Sequence, residues 1–193
     1  YAYQGDIFNA YQEVDELMQL SADLNAHNHL SGGILLKVAL AMYDHDYDEA
    51  HEQLQQAMQI SEQQANAWFK SLILFYQASL AYFDGQPQQA ITHLQNTHQY
   101  LEQEPVIRNK VLSKLGYLYF EIGDSTNGNY HLQQALDETL KNGQLPTVLD
   151  VLVGYAHALQ KTNYNLSQQL ISFVSQQSQI SHIDCKYKIR SKI

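Results

Sequence analysis

Apolar residues return every three to four positions along most of this chain, with short polar or glycine-containing breaks between the stretches. From Ile34 to Tyr43 the apolar positions 34, 35, 38, 39, 42 and 43 fall on one wide helical face. After a turn at Asp44–Asp48 the pattern resumes with Ala50, Leu54, Ala57 and Met58. The next pair of stretches runs Trp68–Phe83 and Gln88–Leu101, and the pair after that Val106–Ile122 and Gly128–Leu140. Ser125-Thr126-Asn127 is a capping cluster at which that last helix can begin. A fourth pair covers Thr147–Gln160 and Leu166–Gln176, and a closing helix from Ser181, with Ile183, Tyr187 and Ile189, is expected to cap the stack. Pro105 and Pro146 stand where a first helical turn accepts proline.

The stretches repeat. Ala10, Ala50, Ala90, Gly128 and Leu166 open successive second helices at steps of 40, 40, 38 and 38 residues. An apolar residue follows each by four: Val14, Leu54, Leu94, Leu132 and Leu170. Turn signals precede the first four, at Gly5-Asp6, His45-Asp46, Gly85-Gln86 and Gly123-Asp124. A fixed period of this length means a solenoid, whose units bury their apolar faces only against neighbours. The expectation is one all-α domain over 1–193, with a partial first repeat at 1–27, repeats at about 30–65, 68–104, 106–143 and 147–177, and a capping helix at 180–193. The opening Tyr1-Ala2-Tyr3-Gln4-Gly5-Asp6 reads as the end of an earlier helix, so a fragment of a longer protein is expected.

Composition narrows the function classes. A formal charge of −9 argues against phosphate-backbone binding, and so against direct nucleic-acid binding by this segment. Cys185 is the only cysteine, which excludes an intrachain disulfide and favours a reducing, cytoplasmic setting. No apolar run reaches the ~18 residues of a membrane span, and the start lacks the charged-then-apolar signature of a signal peptide.

These residues resemble tetratricopeptide (TPR) repeats. Leu115-Gly116-x-x-Tyr119, Gly123-Asp124, Leu132 and Ala135 follow that family's pattern, as do Ala78, Ala81, Gly85, Ala90 and Leu94, and Asp46-Tyr47-Asp48-Glu49-Ala50 with Leu54 and Ala57. The last unit has Gly154 and Leu170, with Leu166 where Ala is usual. The resemblance implies antiparallel helix pairs wound into a right-handed superhelix. A spacing of ~40 exceeds the family's usual 34. It is similar to that of the C-terminal arrays of bacterial signal-transduction ATPases and transcriptional activators, and less closely to peptide-pheromone receptors.

If the array winds as the family does, the first helix of each pair lines a concave groove. That places Met42, Tyr43, Tyr76, Ser79, Tyr82, Phe83, Lys110, Ser113, Lys114, Tyr117, Phe120 and Tyr155 on it. Aromatics with two lysines suit a peptide or helix that carries apolar side chains and a carboxylate. The alternative is that part of this aromatic set packs between helices. Leu72 and Phe75 stand where the family's carboxylate clamp needs polar residues, which argues against recognition of chaperone tails.

Other chemistry is weakly supported. Asp44-x-Asp46-x-Asp48 begins like a calcium loop, but Glu49 and Gln55 occupy the places that need Gly and Glu. The histidine pairs His27/His29, His45/His51 and His93/His98 lack the spacing of a zinc helix. Asp15-Glu16 and Asp137-Glu138 lie on polar faces without a nucleophile or glycine loop, and Gly32-Gly33 is too short to cradle phosphate. The basic tail Lys186–Lys192 reads as a solvated face. The expectation is a non-enzymatic module without metal or cofactor. It binds a protein or peptide in the groove or contacts upstream domains of its own chain; the rival reading is an assembly scaffold whose partner lies on the convex face or whose stack edges self-associate into a homo-oligomer. Other rivals are a pheromone receptor domain and an accessory domain of an enzyme.

Overall fold

The computed structural model describes residues 7–24, 26–62, 66–97, 101, 105–142, 145–160 and 162–180; the expected turn at Gly5-Asp6 and the expected cap beyond Ser181 lie outside them. Among the described residues there are nine helices and no strand: α1 (Ile7–Asp23), α2 (His27–Asp44), α3 (Tyr47–Glu62), α4 (Ala67–Phe83), α5 (Pro87–Thr97), α6 (Pro105–Glu121), α7 (Ser125–Asn142), α8 (Leu145–Leu159) and α9 (Tyr164–Ile180). The chain divides into two compact units, Tyr1–Ile107 and Arg108–Ile193, with the boundary inside α6.

The turns within pairs share one construction. In three of them a residue one or two positions past the helix end is left-handed: His45 (φ 65°), Gly85 (φ 76°) and Gly123 (φ 86°). The next amide donates back to a carbonyl five residues earlier, Asp46 to Ala41, Gln86 to Ala81 and Asp124 to Tyr119, at 2.9, 2.8 and 2.8 Å. This double-bonded ending satisfies orphan carbonyls and reverses the chain within three residues. Asp46 Oδ1 then accepts from the Glu49 amide and Asp124 Oδ1 from the Asn127 amide, both at 3.1 Å. Asp46, the middle acid of Asp44-x-Asp46-x-Asp48, thus caps α3.

Four residues past each of these caps, a helical bond fixes a small buried residue: Ala50 to Asp46, Ala90 to Gln86, Gly128 to Asp124. The fourth turn departs from this. Asn163 bonds to Leu159 at 2.7 Å, and the bond that opens α9 runs from Ser167 to Asn163. The turn is one residue longer, so the buried small residue is Ser167 (0% exposed), while Leu166 is 40% exposed. This corrects the expected anchor at Leu166. Ser167 Oγ donates to the Ala156 carbonyl at 2.6 Å, giving the polar substitute an inter-helix partner.

In the first unit α1 packs on α2, α2 on α3, α3 on α4 and α4 on α5, and α2 also touches α4. One cluster joins Ile34, Leu35, Val38 and Ala41 of α2 to Ala50, Leu54 and Ala57 of α3 and Phe69, Ile73 and Leu80 of α4. Ala10 and Val14 of α1 close on Leu40. Trp68, the chain's one tryptophan, stands in the first turn of α4 and is 39% exposed. In the second unit α6 and α7 cross at two glycines. A Cβ on Gly116 would lie 3.0 Å from the Gly128 carbonyl oxygen, and one on Gly128 would lie 3.1 Å from that of Gly116. Close backbone approach is why this crossing takes glycine on both helices. Arg108 clasps Glu138 across the same pair, donating from Nε at 2.9 Å and Nη2 at 2.6 Å.

Candidate functional site

The predicted groove residues fall into two sets, one in each unit. In the first unit Met42 and Tyr76 are half-buried against the core cluster. Ser79 is buried and spends its hydroxyl on the Phe75 carbonyl at 2.9 Å, so it stays with its own helix. Tyr43 (39%) and Phe83 (49%) are the exposed members. Phe83 does not stand alone: its ring lies 4.7 Å from Tyr47 of α3 and 5.8 Å from Tyr82. Leu72, read as incompatible with a clamp, is also partly buried against the core.

In the second unit Lys110, Ser113, Lys114 and Tyr117 share one face of α6, at the spacing of neighbouring helical turns. Three residues of α8, also at that spacing, meet this face: Asp150, Gly154 and His157. Ser113 Oγ reaches the Asp150 carbonyl at 3.4 Å. A Cβ on Gly154 would lie 3.2 Å from Ser113 Oγ, so glycine there lets the two helices close up. The His157 ring stands edge-on to Tyr117 with centroids 4.4 Å apart, and its Nε2 lies 3.0 Å from Glu121 Oε1. Two amines, a phenol, an imidazole and two carboxylates are thereby gathered where the first helices of successive pairs run side by side.

Burial changes two of these groups. The Lys114 amine is brought down from 10.5 to about 8 by desolvation, which penalises its charged form. Burial pushes the Asp150 carboxyl up, against an opposing pull from Lys110. An anionic group arriving beside Lys114 would favour the ammonium form and relieve part of that penalty.

Phe120 and Tyr155 fall elsewhere. The Phe120 ring fills the space beside Gly128, where an added Cβ would meet it at 2.5 Å. Tyr155 packs against Leu112, Ala135 and Val151, and its hydroxyl is raised by burial and by Asp137 of α7. It borders an open hollow with Thr126, Asn129, Tyr130, Gln133, Gln134 and Asp137. Asp150, Glu121 and His157 were missed because their part depends on how α8 is rotated about its axis. No group of three His, Cys, Asp or Glu placed to hold a metal occurs among the described residues. Nor is any described helix long and apolar enough to cross a membrane.

The fold matches that of a crystal structure from Podosopora anserina, described as "putative kinesin light chain nearly identical TPR-like repeats". The TM-score is 0.60 at 18% identity, over 93% of this chain and 90% of that one. No protein-family model and no curated protein matches the chain. The chain therefore has an all-α, TPR-like repeat fold.

Proposed function

We propose that this chain is a non-enzymatic module that binds a protein or peptide, with the α6–α8 face as its recognition surface. The observation that carries the reading is the contact of Tyr117 with His157 on adjacent first helices, with Lys110 and Lys114 on the same face of α6 as Tyr117. Such a face suits an extended segment that offers a carboxylate to the amines and an apolar side chain to the Tyr117 ring. The exposed Tyr43 and Phe83 supply aromatic area in the first unit by the same logic. The wider reading is a cytoplasmic control array of a bacterial signalling or transcriptional regulator, in which ligand binding biases an output domain of the same protein. Repeat length near 40 residues and a lone cysteine support it.

The test is selection of a displayed library of 12-residue peptides on the purified chain. Selected sequences should carry an acidic residue beside an apolar one and lose at least ~tenfold in affinity on Lys110→Ala/Tyr117→Ala, about 1.4 kcal/mol. Selected peptides that bind this variant as tightly as the parent would remove the α6–α8 face from consideration. A parallel Tyr82→Ala variant tests the first unit's aromatic residues by themselves.

A further inference from the structure

The second helices can be compared position by position by taking Ala10, Ala50, Ala90, Gly128 and Ser167 as equivalent. Nine residues on, four of these segments carry glutamine (Gln19, Gln59, Gln99 and Gln176), and α7 carries an acid, Asp137. Two residues on, the others have Gln12, Glu52, Thr92 and Gln169, and α7 has an aromatic residue, Tyr130. Tyr130 is 57% exposed, so packing within the helix pair does not account for it. Both departures fall on one stripe of α7, where Tyr130, Gln133, Gln134 and Asp137 follow one another at the spacing of helical turns. This stripe and Tyr155 of α8 border a hollow of about 670 Å³. Small-ligand pockets run from about 300 to 1,000 Å³.

Hydrogen bonds within the stripe spend its donors and leave acceptors over. Gln133 donates from Nε2 to Asp137 Oδ1 at 3.0 Å. A carboxylate only accepts, so the orientation of this amide is fixed and its carbonyl oxygen remains an acceptor. Gln134 donates from Nε2 to the Tyr130 hydroxyl, also at 3.0 Å. Asp137 makes no ion pair among the described residues, Lys141 one turn on included. Its negative charge lies close enough to Tyr155 to add to the effect of burial in raising that hydroxyl. The hollow therefore offers one anion, spare amide acceptors and two phenol rings.

We propose that the α7–α8 hollow is a binding site for a guanidinium group. Asp137 is the counter-ion, Gln133 supplies a further acceptor, and Tyr130 and Tyr155 flank the planar cation. Guanidinium is chosen over ammonium because it is flat, carries five N–H donors, stacks on aromatic rings and is more weakly hydrated. The group can arrive on an arginine of a polypeptide or on a free guanidine compound, and the chemistry of the site is the same for both. This site takes a cation, whereas the α6–α8 face takes a carboxylate, so the two readings stand or fall separately.

The probe is N-acetyl-arginine amide, titrated into the 193-residue chain and followed by amide NMR. Saturable shifts are expected along the α7 stripe and around Tyr155. The citrulline analogue, similar in shape but uncharged, should bind at least ~tenfold more weakly, and the lysine analogue more weakly than the arginine probe. Asp137→Asn keeps the size of an exposed side chain, so circular dichroism should not change while affinity falls at least ~tenfold. Tyr130→Ala should weaken binding as well. Shifts that never saturate, a citrulline or lysine analogue that binds as tightly, or an Asp137→Asn chain with parental affinity would each overturn the proposal. Free L-arginine and an end-blocked Gly-Gly-Arg-Gly-Gly peptide then separate the sources. Tighter binding of the peptide assigns the site to a polypeptide arginine, and tighter binding of the amino acid to a free guanidine. Lys110→Ala/Tyr117→Ala should leave arginine binding unchanged.

Discussion

Two glycine-to-alanine changes of identical chemistry should move stability in opposite directions. Gly32 sits inside α2, where an added Cβ meets nothing within 4 Å. Ala there gains helix propensity, about 1 kcal/mol. Gly128 gains the same ~1 kcal/mol, but its Cβ would lie 2.5 and 2.7 Å from two Phe120 ring carbons and 3.1 Å from the Gly116 carbonyl oxygen. Ordinary carbon contacts are about 3.5–4.0 Å, so the ring must retreat by roughly an ångström. The carbonyl belongs to the partner backbone and cannot swing aside, so α6 and α7 must separate. Overpacking of this kind costs about 1–3 kcal/mol, and separation loosens the helix pair that holds the Arg108–Glu138 clasp. Gly128→Ala should therefore lose up to ~2 kcal/mol net. The assay is thermal and urea melting followed by circular dichroism. Shifts of ~2–4 °C per kcal/mol are expected for a cooperative chain of this size, upward for Gly32→Ala and downward for Gly128→Ala. A Gly128→Ala chain stabilised as much as Gly32→Ala would refute the close-crossing argument.

Lys114 and Ser167 carry the remaining predictions. The Lys114 amine titrates at about 8 in the folded chain against 10.5 ordinarily, so between those values the unfolded state holds more protons. Stability should thus rise from pH 8 to 10.5, by at most ~3 kcal/mol, and Lys114→Met should flatten that rise in urea melts taken across the window. The same titration means that a carboxylate ligand held by this amine weakens as pH passes 8. Ser167→Ala removes the bond to the Ala156 carbonyl and leaves a buried acceptor unpaired, at a cost of ~1–2 kcal/mol in the same melts. A neutral result would mean that α8 and α9 do not depend on that bond.

The repeat was legible where small residues and left-handed turns carry it. Ala50, Ala90 and Gly128 announce themselves because a helix crossing needs small side chains, and Gly85 and Gly123 because only glycine is at ease with positive φ. His45 takes the same conformation without that signature, and only its place in the period betrays it. The last anchor was misplaced because Ser167 is polar and its turn one residue longer, so the apolar neighbour Leu166 looked like the right spacing. The start of α2 at His27 was hidden by Gly32-Gly33, which interrupt the apolar pattern but not the helix. At the candidate site, Lys110, Lys114 and Tyr117 follow from α6 alone. The Asp150–His157 side does not, because it comes from another helix 36 or more residues away along the chain. Tyr155 shows the same limit: it is equivalent to Tyr117 by spacing, yet it packs toward α7.

Trp68 gives the molecule a built-in reporter. The single indole stands in α4, within the unit that ends at Ile107. Light absorbed at its red edge therefore interrogates one half of the chain, while peptide circular dichroism registers helices in both. In an array stabilised by neighbour contacts, cooperativity has a finite reach. Coincident optical and dichroic transitions would mean that this reach extends past residue 107; separated ones would give each half its own melting curve without a single added label.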